Sequence, residues 1–355
     1  MKPILYNAYY DPYNDVPNNG IGVLADAISC RCEEVLNGSY ELMVELPYDS
    51  DYISDVLVNR ILVVKPNIED DPQPFRIYSI EKNTNGVVTI KAQHDTYQAD
   101  GIPITPFSAE NLEDAIANLN SERMLPNESP IMLFTNFKAD GQMDVTAPTP
   151  LKNLLGGNDN SLLSLYGGDL YYDNYDIYLL DFRGTNRGMC FRYRNNIASF
   201  NQSISAEKLY SGVMGFFKKG NNFIYGNVVS PESPTPYDRV YILDVTNVIK
   251  KSTPSADDID EYVSDWLLQN DIGVPTINMT LDYIEDDITQ ICLGDICGVS
   301  LPEYNIVATA RCTKVVYDCL MERNESIEIG DYDAGIAGEI ASLSEDVENI
   351  RNYSS

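Results

Sequence analysis

The stretch that decides the fold is residues 30–46, CRCEEVLNGSYELMVEL. Its centre is Asn37-Gly38, a pair whose residue types supply the positive φ angles that a tight hairpin turn needs. After the turn, apolar and polar residues alternate, which puts one set of side chains on one face of a strand. The apolar set is Tyr40, Leu42, Val44 and Leu46. The sequence therefore predicts a β-hairpin that Pro47 ends.

More strands surround this hairpin. Residues 59–65 are apolar and β-branched, which is typical of a buried strand. Residues 75–82 alternate, residues 83–86 form a turn signal, and residues 87–92 return as another strand. So many strands within residues 1–98 predict a small β-barrel or sandwich.

The pattern then changes to mixed α and β. Residues 108–111 form an N-terminal helix signal, and apolar residues follow at helical spacing. Those residues are Leu112, Ala115, Ile116 and Leu119. Further helices are predicted at 149–155, where Pro150 suits the first helical position, and at 161–165. Two strands come next, at 168–173 and 176–181.

From about residue 205 the sequence is β-like again, with one clear helix at 256–268. Ser255 can cap this helix, and the acidic residues after it favour the first turns electrostatically. Its predicted buried stripe is Ile259, Val263, Trp266 and Leu267. Strands are predicted at 276–281, 307–318 and 324–330.

Together these elements predict a mainly β fold with α+β insertions. A length of 355 residues favours two or three domains. The predicted parts are a first β-barrel domain at 1–98, an inserted α+β domain at 99–203, a second β-barrel domain at 204–331 with a helical insertion at about 254–270, and the start of a C-terminal coiled-coil helix at 332–355.

The C-terminal helix is predicted from a heptad stripe. Its apolar residues recur at spacings of four and three, the pattern of a helix that packs on copies of itself. They are Ile336, Ile340, Leu343, Val347 and Ile350. A coiled coil needs roughly three or four heptads, and this stretch holds fewer. We therefore expect either an oligomerisation helix or an amphipathic helix that packs on its own domain.

The net charge of −30 is the strongest signal in the composition. It argues against a general nucleic-acid binder, which needs a basic face to neutralise phosphates. It also argues against adhesion to anionic membranes, and no apolar run is long enough to insert into one. The charge could serve solubility alone, or it could form a surface that DNA slides past without sticking.

The seven cysteines give little support for metal binding. An odd number in a long chain without an export signal favours reduced thiols. Cys30 and Cys32 lie on one face of a predicted strand, where they would pack as small apolar residues. Cys292 and Cys297 lack good zinc spacing, so we predict no metal site.

His94 is the only histidine, which removes most catalytic schemes. A zinc site with two histidines is excluded, and any Ser-His-Asp or Cys-His mechanism would need His94. Because His94 ends a predicted strand, we expect a structural hydrogen bond from it. No phosphate-binding loop or dinucleotide motif appears, so we predict no cofactor. A carboxylate pair for glycoside hydrolysis stays open, since such pairs meet only in space.

Several stretches taken together resemble one family. They are CEEVLNGSYEL (32–42), FRIY (75–78) with KAQH (91–94), residues 168–180 followed by RGTNRG (183–188), and LGD (293–295) with KVVYD (314–318) and ERNESIEIG (322–330). In this order they resemble the phage tail hub and tail-associated lysin family, also described as prophage endopeptidase tail or phage minor structural protein. The fold that this resemblance implies is that of the baseplate hub of contractile phages, with two small β-barrels.

The resemblance implies a homotrimer at the tail tip of a virion, assembled in the cytoplasm of the bacterial host. The implied partners are the distal tail protein ring, the tail tube protein and the tape-measure protein. In the family, a peptidoglycan-cutting domain lies on the C-terminal side of the hub when it is present. No such domain is recognisable before Ser355, so we expect a structural protein with no catalytic residues. The alternatives are a peptidoglycan hydrolase and a glycan-binding tail adhesin that uses the 25 tyrosines as platforms.

Overall fold

The computed structural model describes residues 1–11, 19–124, 129–158, 160–192, 197–205, 209–231, 239–249, 251–269, 276–283, 291–301 and 306–330. The fold is mainly β with few helices, as predicted, and it contains a curled half-barrel sheet. The C-terminal heptad stripe lies outside the described residues.

The elements follow the chain in three groups. The first is β1 (Ile4–Tyr6), β2 (Gly22–Val23), β3 (Ser29–Val35), β4 (Tyr40–Pro47), β5 (Ile61–Val64), β6 (Gln73–Lys82) and β7 (Val87–His94). After a 3-10 helix at Asp95–Gly101, the second is β8 (Pro103–Ile104), β9 (Phe107–Asn111), α1 (Leu112–Ser121), β10 (Met132–Thr135), β11 (Asp140–Val145), β12 (Thr149–Pro150), α2 (Leu151–Leu155), α3 (Leu162–Tyr166), β13 (Asp169–Asp173) and β14 (Asp176–Leu180). The third is β15 (Asn186–Arg192), β16 (Ile197–Ser205), β17 (Gly212–Lys219), β18 (Asn222–Val229), β19 (Val240–Asp244), α4 (Ala256–Gln269), β20 (Thr276–Tyr283), β21 (Ile296–Leu301), β22 (Ile306–Asp318) and β23 (Arg323–Gly330).

The chain forms two compact units. The first contains Met1–Thr185, Leu281–Asp295 and Cys312–Glu328. The second contains Asn186–Thr280, Ile296–Arg311 and the described residues Ile329 and Gly330. Distant parts of the sequence therefore complete each unit.

The first unit is built on a large antiparallel sheet. This part of a 13-stranded sheet has the strand order β23, β22, β3, β4, β7, β6, β5, β1 and β2. The predicted hairpin is β3 with β4, in which Cys32 pairs with Leu42 and Cys30 with Val44. The buried faces of these strands follow the predicted alternation, since Tyr40, Leu42, Val44 and Leu46 are all inaccessible. Burying one such large side chain stabilises the fold by about 1.5–3 kcal/mol.

The hairpin turn differs from the expected one. Asn37 is left-handed, with φ of 55°, but Gly38 is not. The Gly38 N–H donates to Val35 O at 2.9 Å and the Val35 N–H donates to Ser39 O at 2.8 Å. Because the loop has four residues, Leu36 to Ser39, one left-handed residue is enough to close it, and Asn tolerates that conformation.

The middle of the first unit has its own core, and two helix boundaries there were predicted wrongly. Residues 108–111 belong to β9, which pairs with β11; only Asn111 acts as the helix cap, accepting from the Asp114 N–H at 2.9 Å. The predicted helix at 149–155 begins at Leu151, because Thr149 and Pro150 pair with β8 instead. The apolar face of α1 is buried in this core, as predicted.

The second unit contains a three-stranded sheet in the order β18, β17, β19. β17 is antiparallel to β18 and parallel to β19. Helix α4 covers one face, and Ser255 caps it by accepting from the Asp258 N–H at 3.2 Å. A Cβ atom at Gly215 would lie only 2.6 Å from the Ile259 side chain, so glycine allows this helix to pack closely. The predicted stripe of α4 is therefore confirmed as its packed face.

Candidate functional site

His94 is fixed inside the first unit. Its ring is fully buried and stacks on Tyr40, with centroids 4.6 Å apart and planes 11° apart. Its Nε2 lies 3.3 Å from Gln73 Oε1, and its Nδ1 lies 2.8 Å from Thr96 Oγ1. Because the Gln73 oxygen can only accept, Nε2 carries the proton and Nδ1 accepts from the threonine hydroxyl. The predicted structural hydrogen bonds of His94 are thus present.

Burial also keeps His94 uncharged. It lowers the pKa of His94 from 6.5 to about 3. Since both ring nitrogens are engaged and the ring is inaccessible, the imidazole cannot reach a substrate proton. This geometry gives His94 a structural role, in which it holds Gln73 and Thr96 in place.

Gln73 links His94 to the hairpin formed by β13 and β14. Its Nε2 donates to Asp173 Oδ1 at 3.1 Å, and its Oε1 accepts from the Asn174 N–H. Asn37, at the tip of the β3–β4 hairpin, accepts from the Leu170 N–H at 2.7 Å. We call this set of contacts between the first sheet and the β13–β14 hairpin the hairpin joint. Two of the segments behind the family resemblance, 32–42 and 168–180, therefore meet here.

A buried ion pair completes the hairpin joint. Arg183 Nη1 and Nη2 donate to the Glu34 carboxylate at 2.6 and 3.2 Å, and the guanidinium lies 5.0 Å from the Tyr171 ring centroid. Burial by itself would lower the pKa of Arg183, but the charge and hydrogen bonds of Glu34 raise it above its ordinary value. Next to them the Tyr171 hydroxyl donates to Asp70 at 3.0 Å, and burial raises the pKa of that carboxyl.

A second buried contact lies where the chain leaves the first unit. The Asp295 carboxylate is 1% exposed and accepts from the Thr185 N–H at 2.7 Å and from the Cys292 N–H at 2.9 Å. Gly184, with φ of 99°, packs directly against the Gly294 carbonyl, and a Cβ atom would overlap that group. The segments 183–188 and 293–295, which also support the resemblance, are therefore in contact through these residues.

The acidic residues of α4 and the cysteines have structural roles. Asp258 and Asp260 lie in the first turns of α4, and Asp260 accepts from the backbone and side chain of Asn227, each at 2.6 Å. Cys30 and Cys32 are buried apolar packing residues, as predicted, and no disulfide joins any of the seven cysteines, all of which lie within the described residues.

Within the part of the chain that the structure describes, no three His, Cys, Asp or Glu side chains come close enough to hold a metal ion. In the same residues, every helix is too short or too polar to cross a membrane. No pattern in the sequence indicated the Glu34–Arg183 pair, since the two residues lie 149 positions apart.

The comparisons with known proteins rest on structure. No protein-family model matches the chain. No curated protein matches its sequence. Solved structures do match, and three tail proteins are among them. The 43 kDa tail protein of prophage MuSo2 from Shewanella oneidensis has a TM-score of 0.64 at 11% identity, covering 93% of this chain and 98% of that one.

The prophage tail protein gp18 from Listeria monocytogenes EGD-e has a TM-score of 0.62 at 12% identity, covering 98% of this chain and 100% of that one. The tail protein from Neisseria meningitidis MC58 has a TM-score of 0.61 at 11% identity, covering 88% of this chain and 94% of that one. Over nearly its whole length, then, this chain is folded like phage and prophage tail proteins, consistent with its resemblance to the phage tail hub family.

Proposed function

We propose that the chain is a structural component of a phage or prophage tail tip, where it forms a trimeric baseplate hub that closes the tail tube and holds the distal tip domains. The single observation behind this proposal is the match in fold to prophage tail proteins along 93–98% of the chain. A match of this extent covers both units, so it concerns the entire architecture and not one common domain.

The finer parts of the proposal follow from the family resemblance. Two β-barrels per subunit, at 1–98 and 204–331, would form a ring, with the α+β domain at 99–203 between them. The ring would contact the distal tail protein, the tube protein and the tape-measure protein, within the virion and after assembly in the host cytoplasm. The heptad stripe from Ile336 to Ile350 would begin a threefold stalk, and the charge of −30 would let DNA pass without sticking.

A non-enzymatic role agrees with the local chemistry of the chain. His94 is inaccessible and uncharged, and Glu34 and Asp70 are occupied by Arg183 and Tyr171. These carboxylates serve the hairpin joint, which holds two parts of the first unit together. A peptidoglycan hydrolase would need its reacting groups elsewhere.

The test is to image the purified chain by negative-stain electron microscopy and to incubate the same sample with peptidoglycan. We expect rings with threefold symmetry and no released fragments. Featureless monomeric particles would contradict the hub. Fragment release that survives a His94→Ala substitution would support a carboxylate hydrolase instead.

One observation favours a second candidate, the glycan-binding adhesin. On the face of the β10–β14–β13 sheet that carries Phe134, the exposed Phe134 ring stacks on Tyr178 at 5.2 Å. Such a pair of rings is a platform on which a sugar ring could stack. A glycan array separates the two candidates, because a hub would bind no glycan and an adhesin would lose its binding on Phe134→Ala.

A further inference from the structure

The three-stranded sheet of the second unit has an unusual outer face. Helix α4 covers the inner face, where Val213 and Phe217 are buried. On the opposite side, the residues that point away from the helix are almost all apolar. We call them the outer face: Met214, Phe216, Phe223, Tyr225, Val228, Val240 and Ile242.

The outer face is both apolar and exposed. Ile242 is 61% exposed, Tyr225 57%, Val228 50%, Phe223 47% and Val240 40%. Among the described residues, these five make up nearly a third of the sixteen large hydrophobic side chains that are exposed. An antiparallel or mixed sheet with one solvated face normally turns polar residues outward, so a grouped exception marks an interaction surface.

The residues of the outer face are neighbours across the strands. Met214 pairs with Val228 on one side and with Ile242 on the other, and Phe216 pairs with Tyr225. The Phe216 and Phe223 rings lie 5.8 Å apart, edge to face, and Phe223 and Tyr225 lie 6.2 Å apart. The apolar surface is therefore continuous over all three strands.

Charge indicates what covers this face. Two copies of a chain with a net charge of −30 repel each other, so they can meet closely only where carboxylates are sparse. The outer face is such a place, because among the described residues of its three strands the apolar centre is bordered by one carboxylate, Asp244, opposite Phe216. Its other border is Lys218, opposite Phe223, an exposed cation that complements an acidic neighbour. A basic partner would instead be attracted to the acidic surfaces elsewhere.

The area of the outer face indicates how much of a subunit interface it can supply. Three strands about 4.8 Å apart, each contributing about five residues at 3.4 Å, give a footprint of about 250 Å². A stable pairwise interface needs about 800 Å² on each partner. The outer face is thus too small to hold two isolated copies, but it is large enough to be one of several contacts in a closed ring.

We propose that the outer face of the β17–β19 sheet is a subunit–subunit contact, covered by a second copy of this chain. The inference rests on the proposed ring and goes further by naming the surface that closes it. The contact joins an apolar centre to a neighbour whose acidic rim is met by Lys218.

The test is sedimentation velocity of the full chain over a range of concentrations up to about 100 µM, a range in which micromolar association is visible. The variants are Ile242→Glu, Ile242→Thr and Lys218→Glu, and the matched control is Ile28→Glu, because Ile28 is 54% exposed in the first unit. We expect the control to trimerise as the unmodified chain does. Ile242→Glu should weaken the trimer at least about tenfold, since it buries an unpaired charge, and the other two should weaken it less.

Thermal melting of each variant separates folding from assembly. We expect unchanged melting temperatures, because the altered side chains are exposed within one subunit. Variants that trimerise like the unmodified chain overturn the inference and leave the hub proposal intact. Variants that melt earlier but associate normally overturn it too, since the face would then be covered within the subunit. A chain that stays monomeric throughout overturns the inference and the trimeric hub together.

Discussion

The guanidinium of Arg183 donates two hydrogen bonds to the carboxylate of Glu34, a residue 149 positions earlier in the chain. Both side chains are about nine-tenths buried. The pair fastens the segment after β14 to the edge of the β3–β4 hairpin. A buried pair of this kind adds little net stability compared with apolar packing, but removing one partner leaves a buried charge uncompensated.

We therefore expect Arg183→Met to lower the free energy of unfolding by about 3–5 kcal/mol, measured by urea denaturation at neutral pH. The matched control is Arg31→Met, which breaks the ion pair between Arg31 and Glu325. Both of these side chains are more than two-fifths exposed. An exposed pair is worth only about 0–1 kcal/mol. Arg183→Lys should recover little, because an ammonium cannot make both hydrogen bonds. Equal losses for Arg183→Met and Arg31→Met would contradict this account of the hairpin joint.

The buried imidazole of His94 predicts a loss of stability in mild acid. Its pKa is about 3 in the folded chain and 6.5 ordinarily. Between these values the unfolded chain binds one more proton than the folded chain, so the free energy of unfolding falls as the pH falls. The slope from this group is at most about 1.4 kcal/mol per pH unit, and it vanishes above the ordinary pKa.

The check is to measure unfolding by urea at several pH values between about 7 and about 4 for the unmodified chain and for His94→Gln. The carboxylates titrate in both proteins, so the difference between the two slopes isolates His94. We expect a shallower decline for His94→Gln, even if that variant is less stable at neutral pH. Parallel curves would mean that protons reach His94 in the folded state.

The sequence predicted those parts of the fold that depend on neighbours along the chain. The alternation in β4 and the stripe of α4 are local signals of which face is buried, and the structure has both faces as expected. Residues 108–111 correctly indicated that a helix follows. They could not show that these residues themselves pair with β11 as part of β9. Thr149 and Pro150 similarly join a strand pair because β8 lies beside them.

The contacts of the hairpin joint could not be predicted from such local patterns. Glu34, Asp70 and Arg183 are ordinary charged residues with no spacing that relates them, and only the folded chain brings them together. The outer face of the β17–β19 sheet was also missed. Phe223, Val240 and Ile242 are typical of buried strands, so the sequence alone gives no reason to leave them exposed.

The close approach of Gly184 to Gly294 predicts a large effect of one methyl group. In Gly184→Ala, a residue with φ of 99° must accommodate a Cβ atom that overlaps the Gly294 carbonyl. The matched control is Gly157→Ala, because Gly157 has φ of 92° but nothing within 4 Å of the added atom.

Both variants pay the conformational cost of a left-handed alanine, about 1–2 kcal/mol. Only Gly184→Ala also has to displace backbone, which should add about 1–3 kcal/mol. Urea denaturation of the two variants measures the difference. If they are equally stable, the 183–185 segment can move away from Asp295 at no cost, and the contact there is not a rigid one.

The short heptad stripe predicts that the C-terminal segment does not supply most of the energy of trimer association. From Ile336 to Ile350 the stripe spans roughly two heptads, and a stable coiled coil needs about three or four. If the chain trimerises, contacts between its folded units must supply most of the association energy, and the stripe only continues the threefold axis. Deleting residues 332–355 should then leave the sedimentation coefficient of the trimer nearly unchanged after correction for mass, while Ile242→Glu in the shortened chain should still weaken assembly. Complete dissociation on deletion would show that the stripe, short as it is, holds the subunits together, and that the outer face contributes only after the helices have joined.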